Sequence, residues 1–417
     1  MAMQGRRVQL LVVVLSAFLV ASCGGGGGTD DDVSAAVTGN DDAGNTGGNN
    51  ETLPPNQRPD PTPPGGGGPG DPDGGQWNIP PGGDPVEPGV PPLDPPPGGG
   101  DDLPGDPPGE DPPPDDEPAE LYRTATGPEP AATPAILTLH DFAHDNDLDM
   151  RVSWPVEGSS LPLIVFSHGN EGSMLAYDPI ITHWVSYGYV VIQPDHPDSY
   201  LVPEEDRAHD YEDWEERIEE VEFILDSLDQ IEASIPALVG KIDRDRIGMA
   251  GHSFGAHTTQ LVSGAILVTN DTFLDPRIKV ALMISPQGIS DALDEDSWSS
   301  FTNPMMVITG TNDTGREGQP WTWRMDPYNF SPADGDKHAV IIDGAYHNFG
   351  DIYGFGELPP DLAPDAGPLN PTHVSYVQSA TIAFLDAYLK EMPAAQEYLA
   401  GTEMEAASGG EIDYERK

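Results

Sequence analysis

The chain has one cysteine, Cys23, in 417 residues. No intramolecular disulfide can form, so packing alone must hold the fold together. Bases are scarce as well: 18 Lys and Arg stand against 71 Asp and Glu, for a net charge of −53. Such a balance repels phosphate backbones, which excludes nucleic acid as a partner, and it suits a highly soluble protein. His252, His257 and His347 have no companion Cys or His at ligand spacing. Neither a metal nor another cofactor is therefore expected. The apolar run at residues 8–20 is too short to span a bilayer comfortably.

What surrounds that run is informative. Arg6 and Arg7 precede it, and Val20-Ala21-Ser22-Cys23 follows as a small-residue exit. This is the layout of a secretory signal. The segment resembles a bacterial lipoprotein signal. The resemblance implies that residues 1–22 are removed and that Cys23 is lipidated, leaving an exported, membrane-anchored protein. Gly24 after the cysteine implies the outer membrane or cell surface. Residues 23–120 read as a disordered, acidic, Pro- and Gly-rich tether. Between residues 24 and 120 lie 24 of the 46 prolines and 24 of the 48 glycines, with Arg58 the sole base. Apolar residues there are scattered singly, too few to offset the entropy of ordering.

Residues 121–417 read as one α/β domain. Residues 136–142 and 150–154 suggest an antiparallel pair joined by a polar turn containing Asp145, Asn146, Asp147 and Asp149. Residues 161–166 form a continuous apolar run, the pattern of a strand buried on both faces. Helices are expected at 177–187, at 204–230 and at 374–389, and strands at 189–193, 246–250, 280–284, 305–309 and 339–342. In 204–230 an apolar stripe of Trp214, Ile218, Val221, Leu225 and Leu228 leaves Glu215, Glu216, Glu219, Glu220 and Glu222 mostly to solvent. Strands alternating with helices predict a mostly parallel, doubly wound sheet flanked by helices. Ligands of such sheets bind at the carboxyl ends of the strands.

The strand at 246–250 runs directly into Gly251-His252-Ser253-Phe254-Gly255, followed by a helix-compatible segment at 256–268. A G-x-S-x-G sequence between strand and helix makes a sharp turn that lifts the serine hydroxyl out of the sheet. It also turns the Phe254 N–H toward the same space, at the positive end of the helix. Ser253 is the candidate nucleophile. Two later strand ends carry Asp313 and His347. A serine hydroxyl needs a base in reach, and the base needs an acid to fix its tautomer. Serine, acid, histidine is the chain order of α/β-hydrolases. The loop after 161–166 reads Ser167-His168-Gly169-Asn170. Gly169 permits close approach, and the Asn170 N–H is the second candidate donor to an oxyanion. His168 is expected to brace this loop. His196, at a strand end, is expected to brace a loop or the core rather than to border the cleft.

With these motifs in hand, the domain resembles the α/β-hydrolase superfamily. It is similar in particular to bacterial predicted dienelactone hydrolases, platelet-activating-factor acetylhydrolases and cutinase-like polyesterases. The matching pieces are Val165-Phe166-Ser167-His168-Gly169, the run from Gly188 to Pro197, the run from Ile242 to Gly248, the elbow at Ser253, and Gly344-Ala345-Tyr346-His347. Dienelactone hydrolases proper use cysteine where this chain has Ser253. The acetylhydrolases take their acid from the preceding strand, which here ends Ser285-Pro286-Gln287 with no acid before Asp291. Similarity to the cutinase-like enzymes therefore implies Asp313, with Asp291 as the alternative. The resemblance implies an α/β-hydrolase fold and cleavage of a carboxylic ester through an acyl-enzyme. Lipase, polyester depolymerase and peptidase activities remain within the same mechanism, and a non-catalytic surface lipoprotein is the rival reading. Trp321 and Trp323, between acid and histidine, either cover the site or anchor the insertion that carries them.

Overall fold

A computed structural model describes residues 119–209, 213–356 and 366–417, all within the unit Pro104–Lys417. Cys23, the signal at 1–22 and the tether up to residue 118 lie outside the described residues.

The described chain forms one nine-stranded sheet. The strands are β1 (Ala135–Asp141), β2 (Asn146–Ser153), β3 (Leu161–Ser167), β4 (Val190–Pro194), β5 (Ile242–His252), β6 (Ile278–Ile284), β7 (Met305–Gly310), β8 (Lys337–Ile342) and β9 (Ile412–Arg416). Their spatial order is β1-β2-β4-β3-β5-β6-β7-β8-β9. The six strands from β4 to β8 in that order run parallel, while β1, β2 and β9 are antiparallel at the edges. The helices are α1 (Asp178–Ser186), α2 (Trp214–Asp226), α3 (Leu228–Ser234), α4 (Phe254–Val262), α5 (Asp326–Phe330), α6 (Pro371–Tyr388), α7 (Pro393–Ala400) and α8 (Glu403–Ala407).

The central strands are apolar throughout because both faces are covered. In β3, Leu163 and Val165 join the core under α2, α3 and α4, while Ile164 and Phe166 join the core under α1 and α6. In β7, Met305 and Val307 face the first core, and Met306 and Ile308 the second. This two-sided burial is the arrangement expected of a parallel, doubly wound sheet. The fold is that of an α/β-hydrolase.

Local readings need three corrections. The helix expected at 204–230 begins only at Trp214 and is divided. Upstream, Arg207 donates to the carbonyls of Tyr200 and Val202, and Asp206 N–H to Pro203 O, holding that segment as a turn. Downstream, Ser227 ends α2 and starts α3. The apolar series Leu225, Leu228, Ile231 continues across this break into one core, so its periodicity cannot reveal the break. Asn146, Asp147 and Asp149 belong to β2 rather than to the turn, paired across to β1 through contacts such as His140 with Asp147 at 2.8 Å. The segment expected as helix at 256–268 stops at Val262, where Gly264 takes φ of 125°. The edge strand β9, absent from the expected elements, closes the sheet beside β8.

Candidate active site

Three strand ends build the site, that of β5 and, beyond the end of β6, those of β7 and β8. At the first, β5 turns into α4 through Ser253, whose φ is 54° and ψ −119°. A non-glycine residue holds such a conformation only when its surroundings fix it. Here the Ser253 N–H donates to Ile284 O at 2.9 Å. A Cβ on Gly251 would collide with the carbonyl of Gly255, and one on Gly255 with the carbonyl of Ser167. The two glycines thus let strand, turn and helix close up. Glu171, Tyr177, Ser285 and Phe349, on the loops around it, also have positive φ.

At the second, β7 ends and the chain turns to Asp313, which is wholly buried. Its Oδ1 lies 2.8 Å from His347 Nδ1 and 2.8 Å from Arg324 Nε. Its Oδ2 accepts from Ser285 Oγ at 2.6 Å and from Thr309 Oγ1 at 3.3 Å. Burial pushes this carboxyl up, but Arg324, His347 and the hydrogen bonds outweigh burial and hold it at about 2. It is a carboxylate at any ordinary pH.

At the third, β8 leads to His347, which remains partly open to solvent. Asn312 N–H donates to Ala345 O at 3.0 Å, tying the acid loop to the histidine loop. His347 Nδ1 is also 2.8 Å from Ser285 Oγ. Because that hydroxyl gives its proton to Asp313, the network assigns a proton to Nδ1 and leaves Nε2 as the acceptor. The His347 ring packs 4.6 Å from the ring of His252, the neighbour of Ser253.

A chain of hydrogen bonds passes beneath the elbow. Gly169 N–H donates to Tyr177 Oη at 3.0 Å, Tyr177 Oη lies 3.0 Å from His252 Nδ1, and His252 Nε2 lies 2.9 Å from His347 O. Since carbonyls only accept, His252 carries its proton on Nε2 and accepts a hydrogen bond from the tyrosine hydroxyl on Nδ1. Burial and the nearby His347 hold its pKa well below the ordinary histidine value, consistent with that neutral form. The candidate oxyanion loop and the candidate base are therefore braced against each other.

The expected oxyanion donors, Asn170 and Phe254, belong to two segments that meet at Ser253. Phe254 opens α4. Asn170 follows Gly169, where an added Cβ would stand 3.4 Å from Ser253 Cβ. Asp291, the alternative acid, is exposed, and the hydrogen bond to His347 Nδ1 is made by Asp313. His168 braces its own loop: Nδ1 bonds Gly169 O at 2.8 Å and Nε2 accepts from His196 N–H at 3.1 Å. Its pKa is lowered to about 4, by burial first and by Arg217 second. His196 is buried between Ser167 Oγ, at 2.7 Å, and Glu220, at 2.5 Å. Glu220 is thus not solvated. Trp323 anchors the insertion by donating to Ile289 O at 2.7 Å, and Trp321 packs on the core.

Sequence reasoning missed Ser285 and Arg324. Ser285 carried one signal, its position at the end of a strand, β6, which lies between β5 and β7. Arg324 carried none; it lies in a single 3-10 turn, Trp321–Met325, donates to the carbonyls of Ser285, Asp313 and Thr314, and forms an ion pair with the Asp313 carboxylate. Among the described residues, no three His, Cys, Asp or Glu side chains form a group able to hold a metal, and no helix is long and apolar enough to cross a membrane.

Residues 139–275 match the model of the family described as Chlorophyllase, a family of α/β-hydrolase-like esterases. The matched stretch runs from β1 past α4 and contains Asn170, Ser253 and Phe254, while Asp313 and His347 lie beyond it. No curated protein matches the chain.

Proposed function

We propose that this chain is a serine hydrolase of carboxylic esters, exported and held at a membrane by a lipidated Cys23. The observation that carries the reading is the Asp313–His347 hydrogen bond at the ends of β7 and β8, with the His347 ring 4.6 Å from the ring of His252, the neighbour of a serine with φ of 54°. In the reaction, His347 Nε2 takes the Ser253 proton as Oγ attacks the ester carbonyl. Asp313 keeps the other ring proton on Nδ1 and stabilises the imidazolium. The Asn170 and Phe254 N–H groups receive the negative charge that develops on the carbonyl oxygen. The tetrahedral intermediate collapses, His347 returns the proton to the departing alcohol, and water repeats the sequence on the acyl-enzyme. The match to a family of esterases supports the same chemistry.

The test is a panel of p-nitrophenyl esters of increasing acyl length, with a polyester film and with chlorophyll, for which the matching family is named. The protein is expected to turn over at least one, and Ser253→Ala to lower that rate by at least about 10⁴-fold in a folded protein. Substantial activity in folded Ser253→Ala overturns the mechanism. The non-catalytic rival predicts no turnover and no covalent labelling of Ser253 by a fluorophosphonate. For the tether, Cys23→Ser is expected to move the protein from membranes to the soluble fraction, because lipid chains supply the binding energy. Retention on membranes counts against that anchor.

A further inference from the structure

The Phe254 ring and the loop that carries Asn170 share a feature outside the triad: both meet one buried guanidinium. Arg217, in the first turns of α2, is fully buried. Its Nη1 donates to His168 O at 2.8 Å, its Nη2 meets Asp198 Oδ1 at 2.5 Å, and its Nε meets Asp213 Oδ2 at 3.0 Å. Its Cζ lies over the Phe254 ring, 4.2 Å from the ring centre. Asp198, also buried, uses its second oxygen to accept the Glu171 N–H at 2.8 Å.

The ion pair therefore holds the loop on both sides of Asn170. The peptide before Gly169 is fixed at both ends, its carbonyl by Arg217 and its N–H by Tyr177. The peptide after Asn170 is fixed through Glu171 N–H. Between them, the Gly169–Asn170 peptide has its carbonyl held by His168 Nδ1 and by Gly172 N–H at 2.9 Å. In a trans peptide the N–H points opposite to the carbonyl. With the carbonyl tied inward, the Asn170 N–H has one direction left. Neither Arg217 nor Asp198 is open to a substrate, and a buried ion pair is a weak source of net stability. Its strength is geometric, since a forked guanidinium can satisfy several acceptors at set angles.

We propose that the Arg217–Asp198 pair is a positioning device for the oxyanion-binding N–H groups, setting the rate of ester cleavage rather than the binding of the ester. This rests on the serine-hydrolase reading above. The test uses the whole chain and compares Asp198→Asn, which keeps the side chain's shape, and Arg217→Lys, which keeps the charge but loses the fork. Thermal melts establish folding, and Glu215→Gln on the exposed face of α2 serves as control. Both variants are expected to lower kcat about 10- to 100-fold, as for a misplaced transition-state donor, with KM within about twofold. The rate of Ser253 labelling by a fluorophosphonate should fall in parallel, because the phosphoryl oxygen uses the same N–H groups. Unchanged kcat in folded, active variants, or a loss confined to KM, overturns the clamp and leaves the serine hydrolase standing. Failure of both variants to fold assigns the pair to the core alone and also overturns it. A wild-type chain that neither turns over any ester nor takes the label removes the reading beneath it.

Discussion

Asp313 is a carboxylate with no exposure to water, and its neighbours explain why it is still charged. Three donors, Ser285, Thr309 and His347, converge on its two oxygens, and the Arg324 guanidinium stands beside them as an ion pair at 2.8 Å. Replacing it by asparagine should keep the fold and lower kcat by about 10⁴-fold, because an amide neither fixes the His347 tautomer nor stabilises the imidazolium. Asp291→Asn, on an exposed residue, should leave kcat unchanged. Kinetics of the two variants on one ester check this, and reversed effects would move the acid to the earlier strand. The same residue has a pH signature. Its folded pKa is depressed from 3.8 to about 2, so its contribution to stability is complete above about pH 4 and is lost as pH falls through about 2. That contribution is about 2 kcal/mol. Urea unfolding at pH 5 and pH 2 should show the gap between wild type and Asp313→Asn narrowing by roughly that amount.

At the level of elements, the site depends on how closely β5, α4 and the end of β3 approach. Gly255 is the tightest point, since an added methyl group would meet the Ser167 backbone rather than a side chain able to move. Gly255→Ala should therefore destabilise the domain by about 3 kcal/mol or more, the range of severe core overpacking. Gly335→Ala meets open space and strains only a φ of 100°, so it should cost about 1 kcal/mol. Urea midpoints of the two variants measure the difference; equal midpoints would show that the elbow can relax.

The whole domain is closed by its first described residues. Tyr122 and Arg123 reach Asp386 on α6, at 3.1 and 2.6 Å, and the same buried carboxylate accepts from Tyr189 Oη at 2.8 Å and pairs with Lys390 at 3.2 Å. A chain beginning at Leu121 retains this clamp and should match the full chain in stability and in turnover of soluble esters. A chain beginning at Pro128 leaves Asp386 short of two donors. It should lose about 3 kcal/mol, the scale for breaking a buried pair, while the strand-end site keeps its activity at 25 °C. Thermal melts and ester assays of both chains decide it, and an inactive, folded Leu121 chain would mean that the upstream residues do more than tether.

The elements and three of the strand-end residues were legible because their signals are local. An apolar run marks a two-sided strand, glycines around a serine mark a turn that must be tight, and chain order follows from strand order. The sequence by itself thus determined the α/β architecture and pointed to Ser253, Asp313 and His347 as the residues to bring together. It could not distinguish Glu220 and Arg217, which are buried, from the solvated charges beside them on α2, since a charged side chain reads the same in either setting. Ser285 bonds a carboxylate 28 residues away and Arg217 a carbonyl 49 residues away. Only the tertiary structure decided those pairings, because the desolvation that makes a buried polar group find its partner exists only once the layers have closed.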